Sequence, residues 1–377
     1  MGERRLKLAL VRQRYNPYGG AERFVERALT ALRGRGLEAT VITRRWKGEA
    51  GETGVRLCNP FHLGRLWRDA GFARCVRAII DAGEFDLVQS HERIPGCHVY
   101  RAGDGVHATW LEQRARVQSP LARLFTALHP WQRYTCAAEA AMFRHPALRA
   151  VICNSQMVRD DIARRFHLPA ERLHVIHNGV DTGHFHPGLR GQHREALRAA
   201  LGIPRLAPLV LFVGSGFERK GLPQLIESMA GLEGVHLLVV GKDRHEDRAR
   251  AQAQRLGIAA RVHFAGGQQD VRPYYGAADV FALPTLYDPF PNAALEALAC
   301  GLPVLTSTGS GAAELLDGAC GRVTDALDIA AQRLALTELL ALPREAAAAA
   351  ARAAAESCAV EDMGARLIAL YNGLLQG

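Results

Sequence analysis

The chain has 377 residues, of which 48% are hydrophobic and 23% charged, as is typical of a globular protein and not of a disordered one. This length exceeds what one hydrophobic core comfortably supports, so two domains are expected. The longest apolar runs have the length of strands, which excludes a membrane-spanning helix, and we expect a cytoplasmic protein.

The net charge of +9 is unevenly distributed along the chain. Residues 1–182 contain 29 Lys and Arg against 18 Asp and Glu, whereas residues 183–377 contain 18 against 20. A basic half joined to a near-neutral half indicates an anionic partner for the first half. Nucleic acid, a membrane surface and a phosphorylated substrate all fit that description.

The eight cysteines form no Cys-x-x-Cys pair and show no spacing typical of metal ligands. Several lie inside apolar runs, as Cys153 does in "AVICNS". We therefore expect reduced, buried thiols and no disulfide framework.

Short apolar strands alternate with amphipathic helices, which predicts doubly wound parallel sheets. The pattern breaks over residues 182–207 and restarts at Pro208, so we expect two Rossmann-like domains that face each other across a cleft. In such sheets, ligands bind beyond the carboxyl ends of the strands. The strand segments are "LKLALV", "EATVIT", "FDLVQS", "RAVICNS" and "LHVIHNG", then "PLVLFVGS", "VHLLVVG", "RVHFAG", "DVFALP" and "LPVLTS".

Two stretches of the first half contain candidate functional residues. "NPYGGAERF" places Gly19 and Gly20 directly before a predicted helix, where the backbone could approach a ligand closely or simply form a tight turn. "YRAGDGVHATW" places Asp104 between two glycines, where its carboxylate could reach a substrate hydroxyl or only end a turn. His107 in the same stretch is a weaker candidate.

Residues 107–136 combine four arginines with six large apolar or aromatic side chains, opposed by one acidic residue, Glu112. This composition is typical of a segment that lies on an anionic membrane interface. An amphipathic helix packed on its own domain would have a similar composition, and both interpretations remain open at this stage.

The stretch "VGSGFERKG" follows an apolar strand and precedes a helix predicted to begin near Leu222. A glycine turn before a helix forms an anion site, because amides point outward there and the helix dipole adds partial positive charge. Arg219 offers a planar fork to phosphate oxygens and Lys220 a compact ammonium. A solvated charged turn is the alternative, and a Walker A motif is excluded by the residue order.

A second candidate site is "YDPFPNAALEALACGLPV", residues 287–304. Asn292 is predicted to cap a helix, which would place Asp288 just before the helix and Glu296 in its first turn. The favourable interaction of a carboxylate with the helix dipole would also explain why a glutamate occurs at position 296. The backbone amides that could face a phosphate are those of Ala293, Ala294 and Leu295.

Together these stretches resemble the retaining glycosyltransferases of family 4, which have the two-domain GT-B fold. The most specific part is the ordered set of Gly19-Gly20, Arg219-Lys220 and an acidic pair, Asp288 and Glu296, with seven residues between them. The resemblance covers almost the whole chain. Within the family, the sequence is most similar to bacterial lipopolysaccharide-core glucosyltransferases, through "YNPYGGAERF", "RIPGCHVYRAGD" and "GFERKG". In that group a membrane-interacting region lies where residues 107–136 lie here.

The resemblance implies a role for each matching residue. Arg219 and Lys220 would bind the donor's diphosphate, and Glu296 would hold the ribose hydroxyls. Asp288 would contact the transferred sugar, and Asp104 the acceptor or the reacting hydroxyl. The remaining donor-site residues would be Gly19 and Gly20 near the diphosphate, Phe264 near the nucleobase, and Asn292, Ala293, Ala294 and Leu295 at the helix start.

The resemblance also implies the domain roles and the reaction. Residues 1–182 would bind the acceptor and residues 183–357 the nucleotide sugar, with a helix at about 358–377 packing back on the first domain. The expected reaction transfers a hexose, with glucose favoured, from a UDP-sugar to a lipid-linked saccharide such as lipopolysaccharide core. It needs no cofactor and no metal, and it occurs on the inner leaflet of the inner membrane.

One residue departs from the family pattern, since Asp288 stands where the family usually has glutamate. The side chain is one methylene shorter, which changes its contact with the sugar and weakens inference about the donor sugar more than about the reaction.

The sequence also leaves other interpretations open. Another family 4 transferase would use a different donor or acceptor. A GT-B phosphorylase dependent on pyridoxal phosphate would need Lys220 or Lys242 to form the Schiff base with its cofactor. A nucleotide-sugar epimerase is a further enzymatic alternative. A non-enzymatic nucleic-acid-binding protein is disfavoured, because its positive charge would be gathered in one stripe and here it is scattered.

Overall fold

The protein contains two parallel β-sheets in a computed structural model that describes residues 6–15, 37–46 and 54–376. The first sheet has seven strands in the order β5-β3-β1-β6-β7-β8-β9. These are β1 (Leu6–Val11), β3 (Leu37–Thr43), β5 (Gly54–Leu57), β6 (Leu87–Ser90), β7 (Val99–Ala102), β8 (Ala150–Cys153) and β9 (Leu173–Val175). A separate short pair joins β2 (Arg14–Tyr15) to β4 (Arg45–Trp46).

The second sheet has six strands in the order β12-β11-β10-β13-β14-β15. They are β10 (Leu209–Val213), β11 (His236–Val240), β12 (Val262–Gly266), β13 (Val280–Leu283), β14 (Val304–Ser307) and β15 (Gly321–Thr324). Their central strands are buried on both faces because helices cover both sides, which accounts for their continuous apolar sequence. The predicted doubly wound parallel sheets are confirmed.

Five described helices accompany the first sheet: α1 (Gly64–Asp81), α2 (His107–Ala115), α3 (Pro120–Leu128), α4 (Pro130–Arg144) and α5 (Gln156–Phe166). The second sheet is accompanied by α6 (Leu189–Ala200), α7 (Leu222–Ala230), α8 (Glu246–Arg255), α9 (Arg272–Ala277), α10 (Asn292–Ala299), α11 (Ile329–Ala341) and α12 (Arg344–Glu356). The last helix is α13 (Val360–Gln376). None of the described helices is long and apolar enough to cross a membrane.

The chain divides into two compact units. The first unit runs to Asn178 and includes Val360–Gly377, and the second unit is Gly179–Ala359. The last helix belongs to the first unit because its apolar face, with Met363, Leu367 and Tyr371, packs into the core of the seven-stranded sheet. The Tyr371 hydroxyl also donates to Gln89 of β6.

Cys58 and Cys75 form a disulfide, with Cα atoms 6.1 Å apart. The expectation of reduced thiols is therefore wrong for this pair. Cys75 lies in α1, and the fold brings it against the residue that follows β5, a contact that the spacing of 17 residues does not reveal. The other six cysteines are free thiols, and five of them are buried as expected.

Three arginines of α6 converge on Asp279 at the start of β13. Asp279 lies 3.0 Å from Arg190, 2.9 Å from Arg194 and 2.7 Å from Arg198. Arg198 is only 1% exposed. It also donates to the backbone carbonyl oxygens of Pro204, Arg205, Ala207 and Ala277. These ion pairs and hydrogen bonds attach α6 to the amino ends of the strands.

Replacing Arg198 with methionine keeps much of the buried volume but removes the ion pair and four carbonyl contacts. We expect Arg198→Met to lower the free energy of unfolding by about 3 kcal/mol, because unpaired buried polar groups remain. Chemical denaturation followed by circular dichroism measures this change. The control is Arg248→Met, an exposed arginine of the same unit, for which we expect a change within about 0.5 kcal/mol. Equal effects of the two variants would contradict the structural role of Arg198.

Candidate active site

The turn between β10 and α7 contains Arg219 and Lys220. Gly216 and Gly221 in this turn both have φ of +79°, a left-handed conformation that favours glycine. A Cβ atom on Gly221 would lie 1.9 Å from the carbonyl oxygen of Pro284, so only glycine fits there. The turn thus packs directly against the segment that follows β13.

Hydrogen bonds tie this turn to the second candidate stretch. The carbonyl oxygen of Arg219 accepts from the Thr285 hydroxyl at 2.9 Å and from the Leu286 amide at 2.9 Å. The Arg219 guanidinium donates to the carbonyl oxygen of Tyr287 at 3.1 Å. Both stretches follow the carboxyl ends of β10 and β13, neighbouring strands at which the strand order reverses. Such a switch point is where doubly wound sheets bind ligands.

Asp288 forms an ion pair with Lys220, and its carboxylate also lies 3.5 Å from the Arg219 guanidinium. The residue is 7% exposed, and backbone hydrogen bonds with Gly309 and Gly311 fix its position. The structure therefore brings together three of the predicted site residues. Asp288 lies just before α10, and its carboxylate turns toward the two cations.

The helix of the second stretch begins one residue earlier than expected. Asn292 is the first residue of α10, and Pro291 occupies the cap position without a side-chain cap, so the prediction of an Asn292 cap is wrong. The amides of Ala294 and Leu295 donate to the carbonyl oxygen of Pro291. Of the three amides proposed to face a phosphate, that of Ala293 is the one left without a partner within the described chain.

Glu296 has a partner that the sequence did not reveal. The Tyr275 hydroxyl lies 2.9 Å from a carboxylate oxygen of Glu296 and 3.1 Å from the carbonyl oxygen of Ala293. Burial, and then the charge of Glu296, raise the pKa of Tyr275 well above its ordinary value, so the hydroxyl keeps its proton and donates. Tyr275 comes from α9, 21 residues earlier, and no local sequence signal connects the two.

Asp104 lies in the first unit, after β7, on a loop whose backbone is held from both sides. The Asn154 amide donates to the carbonyl oxygen of Gly103 at 3.2 Å, and Arg93 donates to that of Gly105 at 3.0 Å. Asn154 is buried, whereas Asp104 is exposed. The loop therefore presents its carboxylate to solvent on a fixed backbone.

Arg93 owes its position to a buried ion pair with Glu139 of α4, at 2.7 Å. Glu139 also accepts from the amide of His107. The His107 ring is buried, contacts Gln132 through its Nε2 and packs edge-on against Trp131. His107 is thus a packing residue at the start of α2.

Phe264, which was predicted to lie near the nucleobase, belongs to β12. The ring of Phe264 is covered by the Arg250 guanidinium of α8, 4.3 Å from its centre, so it packs against a helix. Gly266 and Gly267 follow it at the end of β12. Gly19 and Gly20 lie outside the described residues.

The basic segment 107–136 forms α2, α3 and the first part of α4. No side chain of α3 is buried, and its apolar residues are strongly exposed. The exposed fractions are 70% for Leu121, 54% for Leu124, 73% for Phe125 and 58% for Leu128. Trp131, in contrast, packs within the unit, because Arg65 stacks on its ring and Asp69 accepts from its indole nitrogen. Within residues 107–136, the strongly exposed large apolar side chains are thus those of α3.

Residues 6–15, 37–46 and 54–376 contain no group of three or more His, Cys, Asp or Glu side chains that could hold a metal ion.

Both halves of the chain match known families. Residues 18–184 match the family described as Glycosyltransferase Family 4, and residues 193–356 match Glycosyl transferases group 1. The chain is 31% identical over 310 residues to the D-inositol 3-phosphate glycosyltransferase of Mycolicibacterium smegmatis, a match that covers 77% of this chain and 67% of that one.

A second relative is the lipopolysaccharide glucosyltransferase WaaG of Escherichia coli K12, 29% identical over 318 residues, covering 82% of this chain and 83% of WaaG. The crystal structure of WaaG, a glycosyltransferase involved in lipopolysaccharide biosynthesis, superimposes with a TM-score of 0.79 at 26% identity, over 96% of this chain and 98% of that one. These matches exclude the non-enzymatic interpretation. The chain belongs to the family 4 glycosyltransferases and has their GT-B fold.

Proposed function

We propose that this chain is a retaining, metal-independent hexosyltransferase that moves glucose from UDP-glucose to a lipid-linked saccharide of the lipopolysaccharide core. The observation that carries the proposal is the group formed by Arg219, Lys220 and Asp288 at the switch point of the second sheet. The similarity to WaaG along most of the chain supports glucose as the sugar and lipopolysaccharide core as the acceptor. Uridine is favoured as the base by the resemblance of the sequence motifs to the family.

The chemistry needs positive charge at the departing diphosphate. Breaking the bond between the anomeric carbon and phosphate develops negative charge on the diphosphate and positive charge on the sugar. Preorganised donors aimed at that charge contribute roughly 3–4 kcal/mol each, by analogy with oxyanion holes. Arg219, Lys220 and the free amide of Ala293 are those donors in the proposed site, and the two cations take the place that a metal has in other transferases.

The remaining groups orient the substrates. Glu296, held by Tyr275, would accept hydrogen bonds from the ribose hydroxyls. Asp288 would contact the sugar once the diphosphate pairs with Lys220. Asp104, on its fixed loop, would accept a hydrogen bond from the acceptor. The anomeric configuration of the sugar is retained if the acceptor hydroxyl attacks on the face from which the diphosphate departs.

We assign one substrate to each of the two units. The second unit would bind the nucleotide sugar, and the first unit would bind the acceptor at the inner leaflet of the inner membrane. The exposed apolar residues of α3 and the arginines around them would contact anionic lipid, since such a surface gains from both hydrophobic burial and charge attraction.

A phosphorylated polyol acceptor is the second candidate, favoured by the similarity to the mycobacterial D-inositol 3-phosphate glycosyltransferase. The basic first half suits such an acceptor as well as it suits a membrane surface. Transfer assays with a lipopolysaccharide-core acceptor and with inositol phosphate, each with UDP-glucose, distinguish the two.

Replacing Lys220 with alanine removes one of the two cations at the proposed diphosphate site. We expect kcat for transfer to fall by at least about 100-fold, because the departing charge loses a preorganised partner. Steady-state assays measure it, with circular dichroism to verify folding. Lys7→Ala provides the matched control: this exposed lysine of β1 should be replaceable without loss of activity. Unchanged turnover in Lys220→Ala would refute the assigned role.

Tyr275→Phe removes the hydroxyl that holds Glu296 but keeps the ring in the core. We expect KM for the donor to rise about three- to tenfold while kcat changes less, because a hydrogen bond to a charged group that orients the ribose site is lost. Tyr274→Phe, at the neighbouring and partly exposed tyrosine, is the control. A fall in kcat alone, with KM unaltered, would show that Tyr275 does not act through donor binding.

Leu121→Glu places a charge in the exposed apolar surface of α3. We expect it to reduce co-sedimentation with liposomes containing anionic lipid at low salt. The control is Leu334→Glu, which introduces the same charge at an exposed leucine of α11 that is 61% accessible. If both variants and the wild-type protein bind the liposomes equally, α3 is not the membrane contact.

A further inference from the structure

A cavity of about 300 Å³ lies in the second unit at the amino ends of the strands, whereas Lys220 and Asp288 follow their carboxyl ends. Asp279 and Pro303, which directly precede β13 and β14, form part of its wall. Its apolar lining includes Leu206, Leu302, Leu339, Leu340 and Leu342. The proposed transferase reaction makes no use of this cavity.

The polar lining of the cavity carries a surplus of positive charge. Arg190 and Arg194 line it, and together with buried Arg198 they share the single carboxylate of Asp279. A guanidinium has five N–H donors, and the contacts of Arg190 and Arg194 to Asp279 and to nearby carbonyl oxygens use only part of them. Donors and charge thus remain available to an anion.

Arg344 adds a third cation to the lining, from the first residue of α12. Its side chain is exposed and makes no ion pair within the described residues, although the neighbouring Glu345 lies close enough to interact with its charge. Ala347 and Ala348 of the same helix complete this wall. Arginines with unused donors around a partly apolar cavity are suited to an oxyanion, since a guanidinium can bind phosphate or carboxylate in a bidentate manner.

The geometry points to a second anion site in this cavity, which binds a small phosphorylated molecule through Arg190, Arg194 and Arg344. The volume suits a phosphate monoester with a small organic body, at the lower end of the range of ligand pockets. The apolar leucines would contact that body, and the arginines would contact the phosphate. This site is separate from the one proposed for the donor.

Tyr275 connects the cavity to the donor site. The residue lines the cavity, and its hydroxyl holds Glu296. A ligand in the cavity that shifts Tyr275 therefore changes the position of Glu296, and the two sites influence each other's affinity reciprocally. This coupling, unlike binding itself, rests on the proposed role of Glu296 in holding the ribose.

The test is calorimetric titration of the full chain with inorganic phosphate, in the wild type and in Lys220→Ala, whose donor site is weakened. We expect binding to persist in Lys220→Ala and to weaken about fivefold or more in Arg344→Ala, because one charge-assisted contact is lost. Arg344→Glu should abolish it. Arg248→Ala, at an exposed arginine away from the cavity, should bind as the wild type does.

Loss of all binding in Lys220→Ala would assign the phosphate to the donor site and overturn the proposal. Equal affinities of Arg344→Ala, Arg344→Glu and Arg248→Ala would overturn it as well. The coupling is tested separately, by the effect of phosphate on KM for the donor: a shift in the wild type that is absent in Arg344→Ala supports it, and no shift in a wild type that binds phosphate refutes it.

Discussion

The candidate site depends on the contact between two short segments that lie far apart in the sequence. The carbonyl oxygen of Arg219 accepts two hydrogen bonds from residues 285 and 286, and Gly221 lies against Pro284 so closely that no side chain would fit. These contacts fix the two loops that follow β10 and β13 as one body. These contacts also determine the positions of Lys220 and Asp288 relative to each other, since each residue is within three residues of the contact.

Much of this fold could be predicted from the sequence, because each element has a local cause. Continuous apolar segments became strands buried on both faces, and the helix expected near Leu222 begins at that residue. The start of α10 was predicted one residue late. An asparagine followed by a helix-forming run is the usual pattern of a cap, and here Pro291 with its fixed φ precedes the first helical residue instead.

The contacts between side chains could not be predicted in the same way. The ion pair of Lys220 with Asp288, the hydrogen bond of Tyr275 to Glu296 and the disulfide between Cys58 and Cys75 each join residues whose proximity arises only from tertiary packing. Charge and spacing identify such residues as candidates. Their orientation depends on neighbours from other elements, as the stacking of Arg250 on Phe264 illustrates.

Asp288 also affects the stability of the folded protein through its ion pair with Lys220. A cation held in a largely buried position destabilises the fold unless a counter-charge is near, and Lys220, whose side chain is 13% exposed, has that counter-charge in Asp288. Lys220 therefore has a carboxylate partner, and because Arg219 lies against the same carboxylate at 3.5 Å, the group of three keeps one positive charge in excess. In the proposed reaction, an incoming diphosphate would meet a lysine that is already paired, so it would have to replace Asp288 as the partner of Lys220 in order to bind.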